Sequence, residues 1–255
     1  MKKLIVANWK MNGSTEMLHQ HLEVLHNFDA VIALPNIYLG LGREILQKYQ
    51  SIHLKLGTQD IGVNSGQGAY TSQISGIMLK EAGAEYVIIG HSEIRLQLRN
   101  MLNGLEFSEY DYRIFEDNYL LQQLQNAIDA DICPIFCIGE AMTDRVAGAY
   151  IDFLMLQLAI INEIKNLKSI VIAYEPCWAI GSGVTPSLEQ IAEVTDKISS
   201  FMNHRFSNVS LQILYGGSVN NTNISEILKT SNVDGALIGG ASLQADKFKE
   251  LLIKI

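Results

Sequence analysis

A carboxylate followed at once by a proline and a glycine-rich loop is the feature of this sequence that points most clearly to chemistry. Glu175 ends the apolar run 169–174, Pro176 follows it, and the loop beyond contains Gly181 and Gly183. A carboxylate where a strand ends, joined to a stiff residue and a glycine-tipped loop, suggests a catalytic base beneath a lid. For an isolated Glu-Pro pair, a surface glutamate beside a turn is the simpler interpretation. The other candidate residues decide between the two.

Further polar or glycine residues stand where other apolar runs end. They are Asn8 and Lys10, His91 and Glu93, Ser218, and the pair Gly239 and Gly240. Each has an ordinary interpretation alone, because lysines are usually solvated, a histidine can be a core residue and paired glycines often form turns. Together they offer a carboxylate, an imidazole and an ammonium for proton transfer. The backbone N–H groups of the glycines and of a short helix start would favour a phosphate.

Composition and charge exclude several classes of function. The sequence contains no cluster of metal ligands and no Gly-x-Gly-x-x-Gly motif, so we expect side-chain chemistry with no metal and no cofactor. The net charge of −8 gives no general attraction to nucleic acid or to an anionic membrane. No apolar stretch is long enough to span a bilayer, and the apolar run 4–7 is too short for a secretory signal.

The cysteines indicate a reducing compartment. The sequence contains three cysteines, Cys133, Cys137 and Cys177. An odd number with no disulfide framework favours the cytoplasm. Cys133 and Cys137 are four residues apart in a predicted strand, so both side chains should point to one face. A pair of metal ligands is conceivable, but no second Cys/His cluster accompanies them. Buried thiols are the favoured interpretation.

Eight short apolar runs predict the strands that position these groups. They are residues 4–7, 30–34, 54–58, 86–89, 132–138, 170–174, 211–215 and 235–238. Most are apolar throughout, as in parallel strands that are covered on both faces. Helical patterns lie between them at 17–25, 151–164, 188–201 and 247–252, and a capping box at Ser187 and Gln190 predicts where the third begins.

Strands that alternate with helices, with no linker between them, predict an α/β protein. We expect a single domain over residues 1–255, a closed (β/α)₈ barrel in which reactive groups gather where the strands end. A doubly wound open sheet is the alternative, because a strand count does not prove closure. The interval between His91 and Cys137 is unusual, and its segment 96–115 is predicted to be extra material, partly helical and partly polar.

Six motifs, in order along nearly the whole chain, resemble the triosephosphate isomerase family. They are Asn8-Trp-Lys10 with Met11-Asn-Gly13, Gly90-His-Ser-Glu93, Cys137-Ile-Gly-Glu140, Ala173-Tyr-Glu-Pro-Cys-Trp-Ala-Ile-Gly181, Tyr215-Gly-Gly-Ser-Val219 and Asp234-Gly-Ala-Leu-Ile-Gly-Gly-Ala-Ser-Leu243. The Glu-Pro-x-Trp-Ala-Ile-Gly and Tyr-Gly-Gly-Ser motifs are highly specific. The resemblance implies a TIM barrel that interconverts dihydroxyacetone phosphate and D-glyceraldehyde 3-phosphate through an enediolate, in glycolysis and gluconeogenesis.

The resemblance also implies a role for each residue at the reacting centre. Glu175 is the base that moves a proton between adjacent carbons. His91 is a neutral donor to the developing oxyanion, held neutral by a helix N-terminus. Lys10 is the cation that faces the substrate oxygens and the phosphate. Asn8 lies near a substrate oxygen, and Glu93 supports the histidine and the lysine.

The same resemblance implies a second set of residues, which bind the phosphate. The lid spans residues 176–186, and its closure brings the Gly181 N–H onto the phosphate. Ser218, Gly239 and Gly240 complete the site. Pro186, at the end of the lid, departs from the family pattern, and its fixed φ predicts restricted lid motion without an effect on the chemical step.

A second departure concerns assembly. The arginine that usually follows Ser-Glu in the family is Ile94 here, and the usual Thr-Gly-Glu is Thr71-Ser72-Gln73. Two charges that form an ion pair near the subunit contact in the family are therefore both replaced, so neither is left without its partner. The resemblance implies a homodimer through the loop around Thr71, with a rebuilt rim.

Two other functions fit part of the sequence. Another barrel that acts on phosphorylated substrates, such as a sugar-phosphate epimerase, would share the phosphate site but would not need Lys10, His91 and Glu175 together. A non-catalytic phosphate-binding protein would be favoured by loss of the base, yet all three positions are intact. The sequence predicts a cytoplasmic isomerase whose partners are a small phosphorylated triose and a second copy of the chain.

Overall fold

Eight parallel strands close into a barrel in the computed structural model, which describes residues 2–102, 104–180 and 184–255. The strands are β1 Leu4–Asn8, β2 Ala30–Leu34, β3 Leu54–Thr58, β4 Tyr86–Ile89, β5 Cys133–Ile138, β6 Ser169–Tyr174, β7 Ser210–Tyr215 and β8 Gly235–Ile238. Each strand pairs with the next, and β8 pairs with β1 through Leu4 and Gly235, so the sheet has no free edge. The predicted (β/α)₈ barrel is confirmed, and the open-sheet alternative is wrong.

Helices connect the strands and cover the barrel. They are α1 Thr15–Leu25, α2 Leu39–Lys48, α3 Gly76–Ala82, α4 Ser92–Met101, α5 Glu109–Asp129, α6 Met142–Val146, α7 Tyr150–Leu158, α8 Leu188–Arg205, α9 Ile224–Ile227 and α10 Ala245–Ile253. The capping box at Ser187 and Gln190 begins α8, as predicted. The pattern at 151–164 is α-helical only as far as Leu158 and continues as the 3₁₀ helix Ala159–Glu163. There the Asn162 side chain donates to the Ala159 carbonyl at 2.8 Å and competes with α-helical bonding.

Both faces of the strands are buried, which explains why the strands are apolar throughout. Inward-facing side chains, among them Val6, Ile135 and Val171, fill the barrel, and the opposite faces pack against the helices. Cys137 is buried in the barrel interior and Cys133 packs against the same cluster, so the two thiols share one face, as predicted. This packing gives the strand ends a rigid frame on which to present side chains.

Outside residue 103, the segment 96–115 consists of the second half of α4, turn residues and the beginning of α5. A capping box of Ser108 and Asp111 starts α5. Arg99 in α4 bonds both carboxylate oxygens of Glu109 across the turn, at 3.2 and 2.6 Å. The prediction that this segment is partly helical is therefore confirmed, with two helices tied together near their junction. Within the described ranges, no helix combines the length and the apolarity that a membrane crossing needs.

Candidate active site

The carboxyl ends of the strands surround a cavity of about 370 Å³. The predicted site residues that line it are Asn8, Lys10, His91, Glu175, Ser218, Gly239 and Gly240. Glu93 does not line the cavity but reaches it through an ion pair with Lys10. Gly181 lies outside the described residues. Side chains that are far apart in sequence therefore meet at one end of the barrel.

A larger cavity of about 750 Å³ opens at the other end of the barrel, where β3, β4, β5 and β6 begin. Two of its lysines are paired with carboxylates, Lys55 with Glu85 at 3.1 Å and Lys80 with Asp131 at 3.2 Å. No histidine belongs to the described residues that line it. Its size alone does not make it a reaction site, so the smaller cavity is the candidate.

Glu175 is held at the end of β6 by close backbone packing. Its N–H donates to the Ile138 carbonyl at 2.8 Å, and the residue is only 2% exposed. A Cβ at Gly139 would lie 1.8 Å from the Glu175 carbonyl oxygen, and one at Gly216 would lie 2.7 Å from its Cγ. Both neighbours must therefore be glycine for the carboxylate to take this position. In the sequence, Gly216 is recognisable only as part of the Tyr215-Gly-Gly-Ser motif.

His91 directs one ring nitrogen at this carboxylate. Its Nε2 lies 3.2 Å from Oε1 of Glu175, and the ring is buried. Its Nδ1 accepts the backbone N–H of Glu93 at 3.2 Å, in the first turn of α4. A nitrogen that accepts a hydrogen bond carries no proton, so the geometry assigns the neutral ring with its proton on Nε2. The family resemblance predicts a neutral donor at this position, and the Nδ1 contact favours that form of the ring.

Two influences oppose each other on the protonation of this ring. Burial lowers the pKa of His91, but the Glu175 carboxylate, assisted by Glu93, raises it more, and the net shift is upward. Protonation would place a second proton on Nδ1, where it would meet the Glu93 N–H. The upward shift requires an ionised Glu175 beside the ring. The backbone hydrogen bond at Nδ1 opposes protonation, because only an unprotonated nitrogen can accept it.

Lys10 is placed by an unusual backbone conformation. Its φ is +52°, in the left-handed region that residues other than glycine rarely adopt. The Asn8 side chain stabilises this turn by accepting the Lys10 backbone N–H at 3.0 Å. The ammonium then reaches Oε1 of Glu93 at 2.7 Å. Asn8 therefore holds the backbone of Lys10, and Glu93 holds its ammonium, at the edge of the cavity.

The ends of β7 and β8 present free backbone donors to the same cavity. Among the described residues, no acceptor takes the N–H groups of Gly217, Ser218, Gly240 or Ala241. Two of these groups belong to the start of the 3₁₀ helix Gly240–Ser242. Free N–H groups that converge on a cavity bind anions, so this side of the site suits a phosphate. In the described ranges, no group of three or more His, Cys, Asp or Glu residues is placed to hold a metal ion.

A family model described as triosephosphate isomerase matches residues 3–255. The chain belongs to the triosephosphate isomerase family.

Individual members of this family resemble the chain over nearly its whole length. The triosephosphate isomerase of Francisella philomiragia is 38% identical over 264 aligned positions, which cover 99% of this chain and 96% of that protein. That of Bartonella bacilliformis is 38% identical over 97% of this chain and 94% of its own. The crystal structure of the enzyme from Bartonella henselae superposes with a TM-score of 0.83 at 34% identity, and covers 100% of this chain and 99% of that one. The chain is accordingly an isomerase.

Sequence reasoning assigned no role to one buried carboxylate, which binds the segment that follows β6. Oε1 of the fully buried Glu140 accepts the indole N–H of Trp178 at 2.9 Å, the hydroxyl of Tyr174 at 3.0 Å and a guanidinium N–H of Arg145 at 2.9 Å. Burial and the neighbouring Glu140 carboxylate raise the pKa of Tyr174, so its hydroxyl stays protonated as a donor. The available signal was a glutamate just after the fifth apolar run, at the same edge as the other candidates.

Proposed function

We propose that this chain interconverts dihydroxyacetone phosphate and D-glyceraldehyde 3-phosphate by proton transfer through an enediolate. One observation carries the proposal above all others: a buried donor, Nε2 of His91, lies 3.2 Å from a buried carboxylate, Glu175, in a cavity that also offers free backbone N–H groups. Membership of the triosephosphate isomerase family supports the same reaction. A base, an oxyanion donor and a phosphate site are what this isomerisation requires.

The reaction moves one proton between two adjacent carbons and a second proton between their two oxygens. Glu175 removes the proton from the carbon next to the carbonyl, and the electron pair of that C–H bond forms the double bond of the enediolate. The former carbonyl oxygen becomes an oxyanion and accepts the Nε2–H of His91. The proton of the neighbouring hydroxyl passes to this oxyanion through Nε2 of His91, and Glu175 returns its proton to the former carbonyl carbon, which leaves the isomeric carbonyl. A positioned base contributes about 10²–10⁴-fold, and one oxyanion donor about 10²–10³-fold.

Lys10 supplies the positive charge that the site needs. The net charge of the chain is −8, so an anionic substrate requires a local cation to overcome this background. The ion pair with Glu93 leaves the ammonium partly exposed, with 29% of the side chain accessible. We infer that this ammonium faces the substrate oxygens and its phosphate, with Asn8 beside them.

The phosphate supplies binding energy at a distance from the reacting carbons. We infer that Ser218, Gly239 and Gly240 bind it, and that the Gly181 N–H joins them when the lid over residues 176–186 closes. Binding energy from a remote group can be used to close the lid and exclude water. A shielded enediolate is protected from expelling its phosphate. The hydroxyl of Ser218 donates to the Ala179 carbonyl at 3.1 Å, which links this site to the lid.

A coupled assay tests the proposal. Purified protein is given D-glyceraldehyde 3-phosphate, and the dihydroxyacetone phosphate formed is reduced by a coupling dehydrogenase that consumes NADH. We expect rapid turnover for the wild type and a large fall in kcat for Glu175→Asp, with unchanged circular dichroism. Turnover of a pentose phosphate by epimerisation, without triose turnover, would instead support the epimerase alternative. Phosphate binding without any turnover would indicate a non-catalytic protein.

We further propose that the chain acts as a homodimer in the cytoplasm, as one domain over residues 1–255. The loop around Thr71 would approach the active site of the partner. Two buried amides of α5 brace this loop: Gln123 donates to the Asp60 side chain at 2.8 Å, and Asn126 donates to the Gly62 carbonyl at 2.6 Å. Tyr70, next to Thr71, leaves 49% of its surface exposed for a contact. Light scattering that finds a fully active monomer at micromolar concentration would exclude the dimer.

A further inference from the structure

A buried histidine links helix α1 to the turn that follows β8. His21 is 3% exposed, and its Nε2 lies 3.1 Å from the carbonyl oxygen of Ser242. Its Nδ1 lies 2.9 Å from the Met17 carbonyl in its own helix. The ring also packs edge-on against Trp9, with centroids 4.8 Å apart. Trp9 stands between Asn8 and Lys10, so the histidine lies behind both the phosphate side and the cation side of the site.

The surroundings assign the ring proton to Nε2. Ser242 is fully buried, and no backbone N–H of the described residues donates to its carbonyl, whereas a buried carbonyl requires a donor. The Met17 carbonyl already accepts a backbone N–H, that of His21 itself, as part of α1. Burial lowers the pKa of His21 and outweighs the opposing carbonyls and Asp246, which favours a neutral ring. The Nε2–H therefore donates to Ser242.

The turn at Ser242 is closed mainly by bonds within itself. The Ser242 N–H donates to the Gly239 carbonyl at 2.8 Å, its hydroxyl donates to the same carbonyl at 2.7 Å, and the Leu243 N–H donates to the Gly240 carbonyl at 3.2 Å. The Ser242 hydroxyl also lies 3.1 Å from the Ile238 carbonyl at the end of β8. These bonds tie the turn to itself and to β8, and none of them reaches another strand or helix. The hydrogen bond from His21 in α1 to the Ser242 carbonyl attaches the turn to a separate helix. If the turn rotated about the axis of β8, its hydrogen bond to His21 would break.

We propose that His21 is a positioning residue for the phosphate site: by holding the Ser242 carbonyl, it keeps the N–H groups of Gly240 and Ala241 directed into the cavity. The inference rests on the proposed function, because it takes this turn to bind the substrate phosphate. His21 does not line the cavity, so it acts through the turn and not on the substrate. A histidine that merely fills the core would affect folding and leave phosphate recognition unchanged.

Two variants and a matched control separate these roles. His21→Leu removes the donor at similar size, and His21→Gln offers an amide N–H in its place. The control, His19→Leu, is the same substitution of leucine for histidine at an exposed position of the same helix. Each protein is assayed with D-glyceraldehyde 3-phosphate, with phosphate-free D-glyceraldehyde, and with inorganic phosphate as a competitive inhibitor. The phosphate-free substrate reports on the reacting centre alone.

We expect His21→Leu to raise the inhibition constant of phosphate and to lower kcat/KM for the phosphorylated substrate, each about 3- to 10-fold, the range of one net hydrogen bond. Its kcat/KM for D-glyceraldehyde should match that of the wild type. His21→Gln should recover most of the loss, and His19→Leu should show none. An unchanged phosphate constant in folded His21→Leu, or equal losses with both substrates, would overturn the inference.

Two further results keep the test decisive. If His21→Leu does not fold, nitrogen NMR of the wild-type imidazole decides, because a proton on Nδ1 instead of Nε2 would remove the bond on which the inference depends. A wild type that fails to isomerise the triose phosphate would defeat the proposed function itself. Failure of the inference alone looks different: an active, phosphate-inhibited wild type and a folded variant with the same phosphate constant.

Discussion

The Nδ1 atom of His91 accepts the backbone N–H of Glu93 at 3.2 Å, and this contact determines which proton the ring can offer. The helix start occupies one nitrogen, so the other must carry the proton of the neutral form and present it to the cavity. The side chain of the same Glu93 pairs with Lys10 at 2.7 Å. A single residue at the start of α4 therefore orients both the donor and the cation of the site.

The opposing influences on His91 can be separated by titration. In the wild type, burial lowers the pKa of His91 but the Glu175 carboxylate raises it more. Glu175→Gln removes that charge and leaves burial as the largest remaining influence, so the pKa of His91 should fall and the ring should stay neutral to lower pH. NMR titration of the imidazole measures the change. Glu163→Gln, at an exposed position, serves as the control, and an unchanged His91 pKa in Glu175→Gln would refute this account of the shift.

Gly216 is predicted to be essential for placing the base. A Cβ there would lie 2.7 Å from Cγ of Glu175, so Gly216→Ala should displace the carboxylate. Because a displacement of about 1 Å at a reacting group can lower the rate about 10²-fold, we expect kcat to fall at least about 10-fold. Gly40→Ala is the control, since no atom lies within 4 Å of its added Cβ. Equal kcat values for the two variants would contradict the prediction.

The barrel itself was predictable from the sequence because its strands are apolar on both faces. The predicted bounds of β2, β3, β4 and β8 agree with the structure. Several helices were missed, among them α2 and α3, in which glycines at positions 40, 42 and 76 interrupt or begin the pattern. In α2 the burial of Gly42 against Leu34 and Leu56 explains a glycine that sequence reasoning would treat as a helix breaker.

The candidate site was predictable in its members but not in its internal contacts. Parallel strands place their ends together, which was enough to group Lys10, His91 and Glu175. The Glu140 cluster and the close packing of Gly139 against Glu175 depend on how neighbouring strands approach, which no local pattern encodes. The contact of His21 was unpredictable for the same reason, because its partner Ser242 is more than two hundred residues away in the sequence.

The buried Glu140 is predicted to stabilise the fold as well as the lid base. Glu140→Gln removes the charge that faces Arg145 at 2.9 Å, and the arginine retains a carboxylate contact of 3.9 Å with Glu193. Removing one partner of a buried pair destabilises by about 3–5 kcal/mol, and we expect the lower end because Arg145 retains this second carboxylate. Urea unfolding measures the loss. The exposed substitution Glu163→Gln should change the free energy of unfolding little, and a similarly small effect at position 140 would contradict the prediction.

Pro186 is expected to limit the motion of the lid. The residue is buried just before α8, and its ring fixes φ. Pro186→Ala should therefore raise the exchange rate of the lid in relaxation-dispersion NMR and leave the chemical step unchanged. Pro35→Ala, in the loop after β2, provides a control for the loss of a proline elsewhere. Identical exchange rates in Pro186→Ala and the wild type would dismiss the idea.

The most direct test of the proposed mechanism is proton exchange from the substrate. Dihydroxyacetone phosphate is incubated with enzyme in D₂O, and proton NMR follows the loss of the carbon-bound proton that the base removes. The wild type should exchange this proton at a rate comparable to turnover. Glu175→Gln should be slower by about 10²–10⁴-fold while still binding inorganic phosphate, because only the base is lost. Exchange at the wild-type rate in Glu175→Gln would show that another group removes the proton.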